Sequence, residues 1–101
     1  MIAIERTTQK IFPGKTAELE EIDKKYNAIE MKAGFPQKKR FQCVIGGLDQ
    51  SILIIERQWD SLAAMESIYE KVLADPEYQA LGKEITSIVQ SSQTEVFTPL
   101  P

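Results

Sequence analysis

Two Glu-Arg dipeptides and three large aromatic side chains carry whatever chemistry this sequence can do. Glu5-Arg6 follows Ile4, and Glu56-Arg57 follows Ile55 in a short echo of it. Trp59 comes just after the second dipeptide, and Tyr69 and Tyr78 lie further on, in segments of helical spacing. The chain has no histidine. That absence removes Ser-His-Asp and Cys-His catalysis, His-ligated haem and most zinc and non-haem iron sites. Acid–base work would fall to Asp, Glu, Lys or Tyr. Cys43 is the only cysteine, so there is no internal disulfide and no thiolate cluster for a metal. In an apolar strand it reads as an inert buried thiol. No cofactor and no metal site is expected.

Each of these side chains also has a packing role open to it. Glu5 with Arg57, or Arg6 with Glu56, would make cross-strand ion pairs that neutralise charge. Trp59 would plug the core, its indole N–H finding a backbone partner. Tyr69 and Tyr78 would pack on helical stripes with their hydroxyls at the rim.

The elements that must position these residues follow from pattern. At 101 residues with 43% apolar and 27% charged side chains, residues 1–101 read as one globular domain. A formal charge of -3 argues against nucleic acid, which needs clustered and uncancelled Lys and Arg. Lys38-Lys39-Arg40 is the one basic run and reads as a solvated strand entry. No apolar run reaches the ~20 residues of a membrane span, and the start of the chain is too soon charged for a signal peptide. A cytoplasmic location is expected.

Ile2 and Ile4 alternate with Ala3 and Glu5, predicting a first strand from Ile2 to about Lys10. Pro13-Gly14 turns the chain. A helix then opens with Thr16 as N-cap, and Leu19, Ile22, Tyr26, Ile29 and Ala33 form its apolar stripe, with Asp23 among the charges opposite. Lys32, Gly34 and Pro36 make a stop signal. The second strand is read from Lys39 to Ile45, a Gly46-Gly47 turn follows, and the third strand runs from Ser51 to Trp59. A second helix starts at Asp60 or Ser61 with Leu62, Met65, Ile68, Tyr69, Val72 and Leu73 inward. It breaks at Asp75-Pro76, where proline suits a first helical position, and a third segment runs to about Gln90. A last strand is read from Gln93 to Thr98.

The order β-α-β-β-α-β predicts an α+β, ferredoxin-like fold, a four-stranded antiparallel sheet with its helices on one face. Ile52-Leu53-Ile54-Ile55 has no polar side, so both sides need cover. One helix layer hides one face. A second copy of the chain is the economical cover for the other, in a homodimer through the sheet face.

The stretch Gly47-Leu48-Asp49-Gln50, the apolar strand, Trp59-Asp60-Ser61-Leu62 and Ala74-Asp75-Pro76-Glu77-Tyr78 resemble the NIPSNAP family, and Phe12-Pro13-Gly14-Lys15 is similar to the Pro-Gly-Lys that follows its first strand. The resemblance spans nearly the whole chain. It departs in having Tyr78 where Trp is common and in lacking a Tyr near the middle of strand one. It implies a homodimeric α/β barrel of ferredoxin-like domains, and a family without a settled catalytic role. Pockets in such folds open between helices and sheet, which makes Glu5, Arg6, Glu56, Arg57, Trp59, Tyr69 and Tyr78 the candidate lining.

Two functions are expected on this basis. The first is a small-molecule-binding or interaction module without a cofactor, taking a small apolar or aromatic ligand. The alternative is a small cofactor-independent monooxygenase or isomerase of the antibiotic-biosynthesis type, implied by the same superfamily, with Glu5 or Glu56 as base. Its haem-degrading members coordinate iron through a histidine that this chain lacks.

Overall fold

The computed structural model describes residues 1–47 and 50–101. In chain order it holds β1 (Ala3–Ile11), α1 (Thr16–Ala33), β2 (Lys39–Gln42), β3 (Ile52–Trp59), α2 (Leu62–Leu73), α3 (Pro76–Glu84), a 3-10 turn (Ile85–Ser87) and β4 (Val89–Phe97). The strands form one antiparallel sheet in the order β2-β3-β1-β4, so β1 and β3 are central. This is the ferredoxin-like α+β arrangement read from the sequence.

Alternation along β1 sorts the two faces. Ala3, Glu5 and Ile11 are buried, with Thr7 and Gln9 on the same side by the period of a strand. Ile11 packs with Leu19 and Ile22 of α1, Leu81 of α3 and Ile88 in the main apolar core. Ile4, Arg6, Thr8 and Lys10 point the other way. In the β1–β3 register Glu5 faces Arg57 and Arg6 faces Glu56, so the two Glu-Arg pairs lie on opposite faces of the sheet.

The helix ends are set by local chemistry. Thr16 is the first residue of α1 rather than its cap. Lys15 holds the cap position without a side-chain bond to it, its ammonium turned to Glu18 at 3.2 Å. At the other end Gly34 has φ +88°, a conformation open to a residue without Cβ. The Phe35 N–H donates to Glu30 O at 2.9 Å and the Gly34 N–H to Met31 O at 3.3 Å. This paired bond pattern turns Phe35 back toward the sheet. Ser61 caps α2, its Oγ accepting from the Ala64 N–H at 3.0 Å. Asp75 caps α3 by accepting from the Glu77 N–H at 2.9 Å, with Pro76 at the first turn.

Three expectations shift, at the end of β2, at Leu62 and Leu73, and between α3 and β4. β2 ends at Gln42, because the Gln42 amide donates to Gln50 O at 2.9 Å and closes the ladder. Cys43 therefore lies outside the strand, with Sγ 3.6 Å from Ile45 O, and Val44 and Ile45 are exposed. The expected turn falls partly on Leu48 and Asp49, outside the described residues. Leu62 and Leu73 are half-exposed rather than inward. Finally, the third helical segment stops at Glu84 and the last strand begins at Val89. There the Phe12 N–H donates to Ile88 O at 2.9 Å, and Val89 pairs with Ile11 beyond a register shift.

Candidate functional site

At the end of the sheet away from the apolar core, polar side chains replace aliphatic ones. Glu5 on β1 is 6% exposed and Arg57 opposite it on β3 is 8% exposed. Burying such groups costs free energy unless partners satisfy them, and the surrounding elements supply those partners. Glu5 Oε1 accepts from the Trp59 indole N–H at 3.1 Å, and Oε2 accepts from the Tyr69 hydroxyl at 2.6 Å. Trp59 thus finds a carboxylate and not the backbone acceptor expected of a core plug. Phe35, delivered by the α1 C-terminus, packs edge-on against both Trp59 and Tyr69 with ring centroids 5.3 and 5.1 Å away.

Arg57 draws its charge partner from α1. Its Nη2 lies 2.6 Å from Glu30 Oε1, while its Nη1 is 3.9 Å from Glu5 Oε1. The guanidinium carbon stands 5.0 Å over the Phe35 ring, and Nε has no hydrogen-bond partner among the described residues. Glu30 also lies 3.4 Å from Lys38 Nζ, which donates to Asp23 Oδ1 at 2.6 Å. Asp23 in turn is 3.8 Å from Arg40, which makes a two-point contact with Glu20 at 2.7 and 3.0 Å. Seven groups therefore alternate in sign along one chain: Glu5, Arg57, Glu30, Lys38, Asp23, Arg40 and Glu20. Arg40 holds the Glu20 carboxyl below the usual range. Of the basic run, the Lys38 side chain is buried rather than solvated, Arg40 is partly exposed and Lys39 is exposed, and Asp23 turns inward from the outer face assigned to it.

Five of these groups, Glu5, Arg57, Glu30, Lys38 and Asp23, border a cavity of about 480 Å³ between the helices and the sheet. Its polar end has Glu5, Arg57, Glu30 and Lys38, and the sheet beneath it contributes Thr7, Gln9 and Thr94. Leu19, Ile22 and Ile55 are among its apolar walls. Tyr69 of α2, Tyr26 of α1 and Tyr78 of α3 line it as well, the last two in an edge contact with centroids 5.6 Å apart. Burial raises all three hydroxyl pKa values. Tyr26 is pushed up to about 12, and the bond to Glu5 pushes Tyr69 higher still. All three remain protonated hydrogen-bond donors at neutral pH.

Of the seven residues singled out from sequence, Glu5, Arg57, Tyr69 and Tyr78 line this cavity, and Trp59 braces Glu5 from behind. Arg6 and Glu56 do not. They pair with each other at 2.9 Å on the opposite face, where Arg6 also lies 5.0 Å over the Phe97 ring. Glu30, Lys38, Asp23, Phe35 and Tyr26 went unread as site residues. Glu30 had a detectable signal, because it follows Leu19, Ile22 and Tyr26 at steps of three and four and so falls on the inward stripe.

The sequence profile of the NIPSNAP family matches residues 5–101. The chain belongs to the NIPSNAP family. Its fold is similar to that of a NIPSNAP family protein from Agrobacterium tumefaciens, with a TM-score of 0.80 and 23% identity over 98% of this chain and 86% of that one. An uncharacterized NIPSNAP-like domain protein from Burkholderia xenovorans aligns with a TM-score of 0.81 and 18% identity, covering 98% and 85% of the two chains. SnoaB, a cofactor-independent oxygenase from Streptomyces nogalater, aligns with a TM-score of 0.71 and 14% identity, covering 97% and 92%. At these identities the structures establish the shared fold alone. No curated protein matches this NIPSNAP chain in sequence. Among its described residues no helix is long and apolar enough to cross a membrane.

Proposed function

We propose that this NIPSNAP protein is a small-molecule-binding module that holds a small apolar or aromatic ligand in the cavity between sheet and helices. One observation carries the proposal. A space of about 480 Å³ has aliphatic and tyrosyl side chains in its walls among Ser, Thr and Gln, and a charged end where Glu5 and Arg57 are both more than nine-tenths buried. Apolar wall patches that take a ligand's body, beside polar groups fixed in place, are what orient a ligand. Networks of buried charge are held in place by their own contacts, so the polar end is formed before anything binds.

A second copy of the chain belongs to the same proposal. The face of the sheet away from the helices presents Ile4, Ile54, Phe41 and Phe97, with Phe41 and Phe97 47% and 43% exposed. The Arg6–Glu56 pair neutralises charge in its middle. An isologous contact would cover this surface on both copies at once. Cytoplasmic residence is part of the same picture.

The test uses N-phenyl-1-naphthylamine, a neutral dye that brightens in apolar surroundings. Saturable enhancement at one dye per chain is expected, lost when Thr7→Phe fills the cavity floor. No enhancement, or an unchanged response in the variant, defeats the proposal.

One observation favours catalysis as a second reading. Glu5 is a buried carboxylate facing a cavity in a fold shared with an oxygenase that needs no cofactor. In that case Glu5 would remove a proton from the bound molecule. Glu56, on the far face, would have no part in it.

A further inference from the structure

Charge along the cavity does not cancel, and where the surplus sits says what kind of ligand fits. Three carboxylates line the cavity, Glu5, Asp23 and Glu30, against two cations, Lys38 and Arg57. One negative charge is left over. Adding Arg40 and Glu20, which hold each other by two contacts, brings one charge of each sign and leaves the surplus in place. Both lining cations are committed: Lys38 lies 2.6 Å from Asp23, and Arg57 lies 2.6 Å from Glu30.

The unmatched charge is at Glu5. Its nearest cation is Arg57 at 3.9 Å, and its two short contacts are to neutral donors, the Trp59 indole and the Tyr69 hydroxyl. Neutral donors stabilise a carboxylate without cancelling its charge. An anionic ligand would enter against three carboxylates and meet only cations that already hold a carboxylate at 2.6 Å, with Arg57 Nε as the one donor there lacking a partner among the described residues. A cationic group would complete the alternation that ends at Glu5, and the rings of Tyr69, Tyr78 and Tyr26 around the same space attract cations through their faces.

We infer that the ligand carries a protonated amine on an apolar or aromatic body, with its ammonium seated beside Glu5. The inference rests on the cavity-binding function proposed above and adds the sign of the ligand's charge. The apolar walls of Leu19, Ile22 and Ile55 take the body, and the ammonium trades its water shell for Glu5 and tyrosine faces.

Three probes of one shape separate the possibilities by calorimetry on the unmodified protein: phenethylamine, 2-phenylethanol and 3-phenylpropionate. Phenethylamine is expected to bind roughly tenfold tighter than the alcohol, as for a charge-assisted contact, and the propionate weakest of all. In Glu5→Gln the amine and the alcohol should bind within about twofold of each other, since the opposite charge is gone. Equal or tighter binding of the alcohol or the propionate to the unmodified protein overturns the inferred charge and leaves the cavity function standing. Binding by none of the three overturns both. Because the isostere comparison needs no variant, a folding defect in Glu5→Gln cannot obscure the result.

Discussion

Arg57 and Glu30 meet at 2.6 Å across the interface between sheet and helix, although Glu5 stands directly opposite Arg57 on the neighbouring strand. The helix carboxylate wins because a guanidinium leaning toward α1 also stacks on Phe35, leaving Glu5 free for Trp59 and Tyr69. The same Glu30 serves Lys38 at 3.4 Å. One helix residue thus ties β3 to the segment that enters β2.

Removing that residue's charge leaves Lys38 its Asp23 partner at 2.6 Å but leaves the buried Arg57 with Glu5 at 3.9 Å as its nearest carboxylate. Glu30→Gln should lower the free energy of unfolding by about 3 kcal/mol, the scale seen when one member of a buried ion pair is lost. Urea unfolding monitored by far-ultraviolet dichroism measures it. A loss under about 1 kcal/mol would place the Arg57 charge in an environment like an exposed pair's.

Tyr69→Phe deletes one of the two short donors to Glu5 and leaves a buried carboxylate oxygen unmet. A cost of about 1–3 kcal/mol is expected for an orphaned acceptor. Trp59, the only tryptophan, donates to the other oxygen of the same carboxylate and packs near Tyr69, so its emission should shift as well. An unchanged spectrum together with unchanged stability would mean that the Tyr69–Glu5 bond is not held in solution.

Much of this was legible in the residues. Gly34 with Pro36, Ser61, and Asp75-Pro76 announced helix boundaries through side-chain chemistry that acts over a few residues, and those boundaries hold. The βαββαβ order followed from them. What sequence could not separate were features decided by distant backbone. Val89 and Gln90 continue the spacing of Ile85 and Ile88, yet β1 offers an unpaired edge that draws them into β4, and Gln90-Ser91-Ser92-Gln93 has no apolar alternation to betray a strand. Cys43-Val44-Ile45 has strand-like composition but loses its partner once Gln42 closes the hairpin. The charged network was hidden for a related reason. Lys38 and Asp23 have ordinary surface identities, and only their meeting across fifteen residues makes them buried.

The placement of the two Glu-Arg pairs on opposite faces separates their mutants. If the cavity is catalytic, Glu5→Gln should abolish turnover of a substrate, by the hundredfold or more that loss of a general base costs (about 10²–10⁴). Glu56→Gln should leave turnover within about twofold, since no part of it reaches the cavity. Steady-state assays on both variants decide the matter. Full activity in Glu5→Gln, or equal losses in the two, would assign the base elsewhere.

Ile54 lies on the sheet face that no described helix covers, paired with Phe41 on one side and Thr8 on the other. An aspartate there would put a charge at the centre of the surface proposed to meet a second copy. Ile54→Asp should weaken self-association by about 2 kcal/mol or more, the scale of an interface hot spot. Sedimentation velocity should show a paired species for the unmodified chain and a single copy for the variant. A single copy in both, or a pair in both, would count against that interface.

The tyrosines make a prediction about alkali. Their hydroxyl pKa values are raised in the folded chain, that of Tyr26 from 10.0 to about 12, with burial as the leading cause for each. In the unfolded chain they ionise near the ordinary tyrosine value of 10.0. The sign follows from proton counts: between those two values the unfolded chain has released protons that the folded chain still holds, so rising pH favours unfolding. Stability is fully present below pH 10 and declines from there toward 12 and beyond. Absorbance at 295 nm should therefore show no tyrosinate at pH 10 while the dichroism is native, and the two signals should change together above it. A tyrosine titrating near pH 10 in the intact fold would mean that at least one of Tyr26, Tyr69 and Tyr78 is open to water, and the cavity they line would be correspondingly less closed.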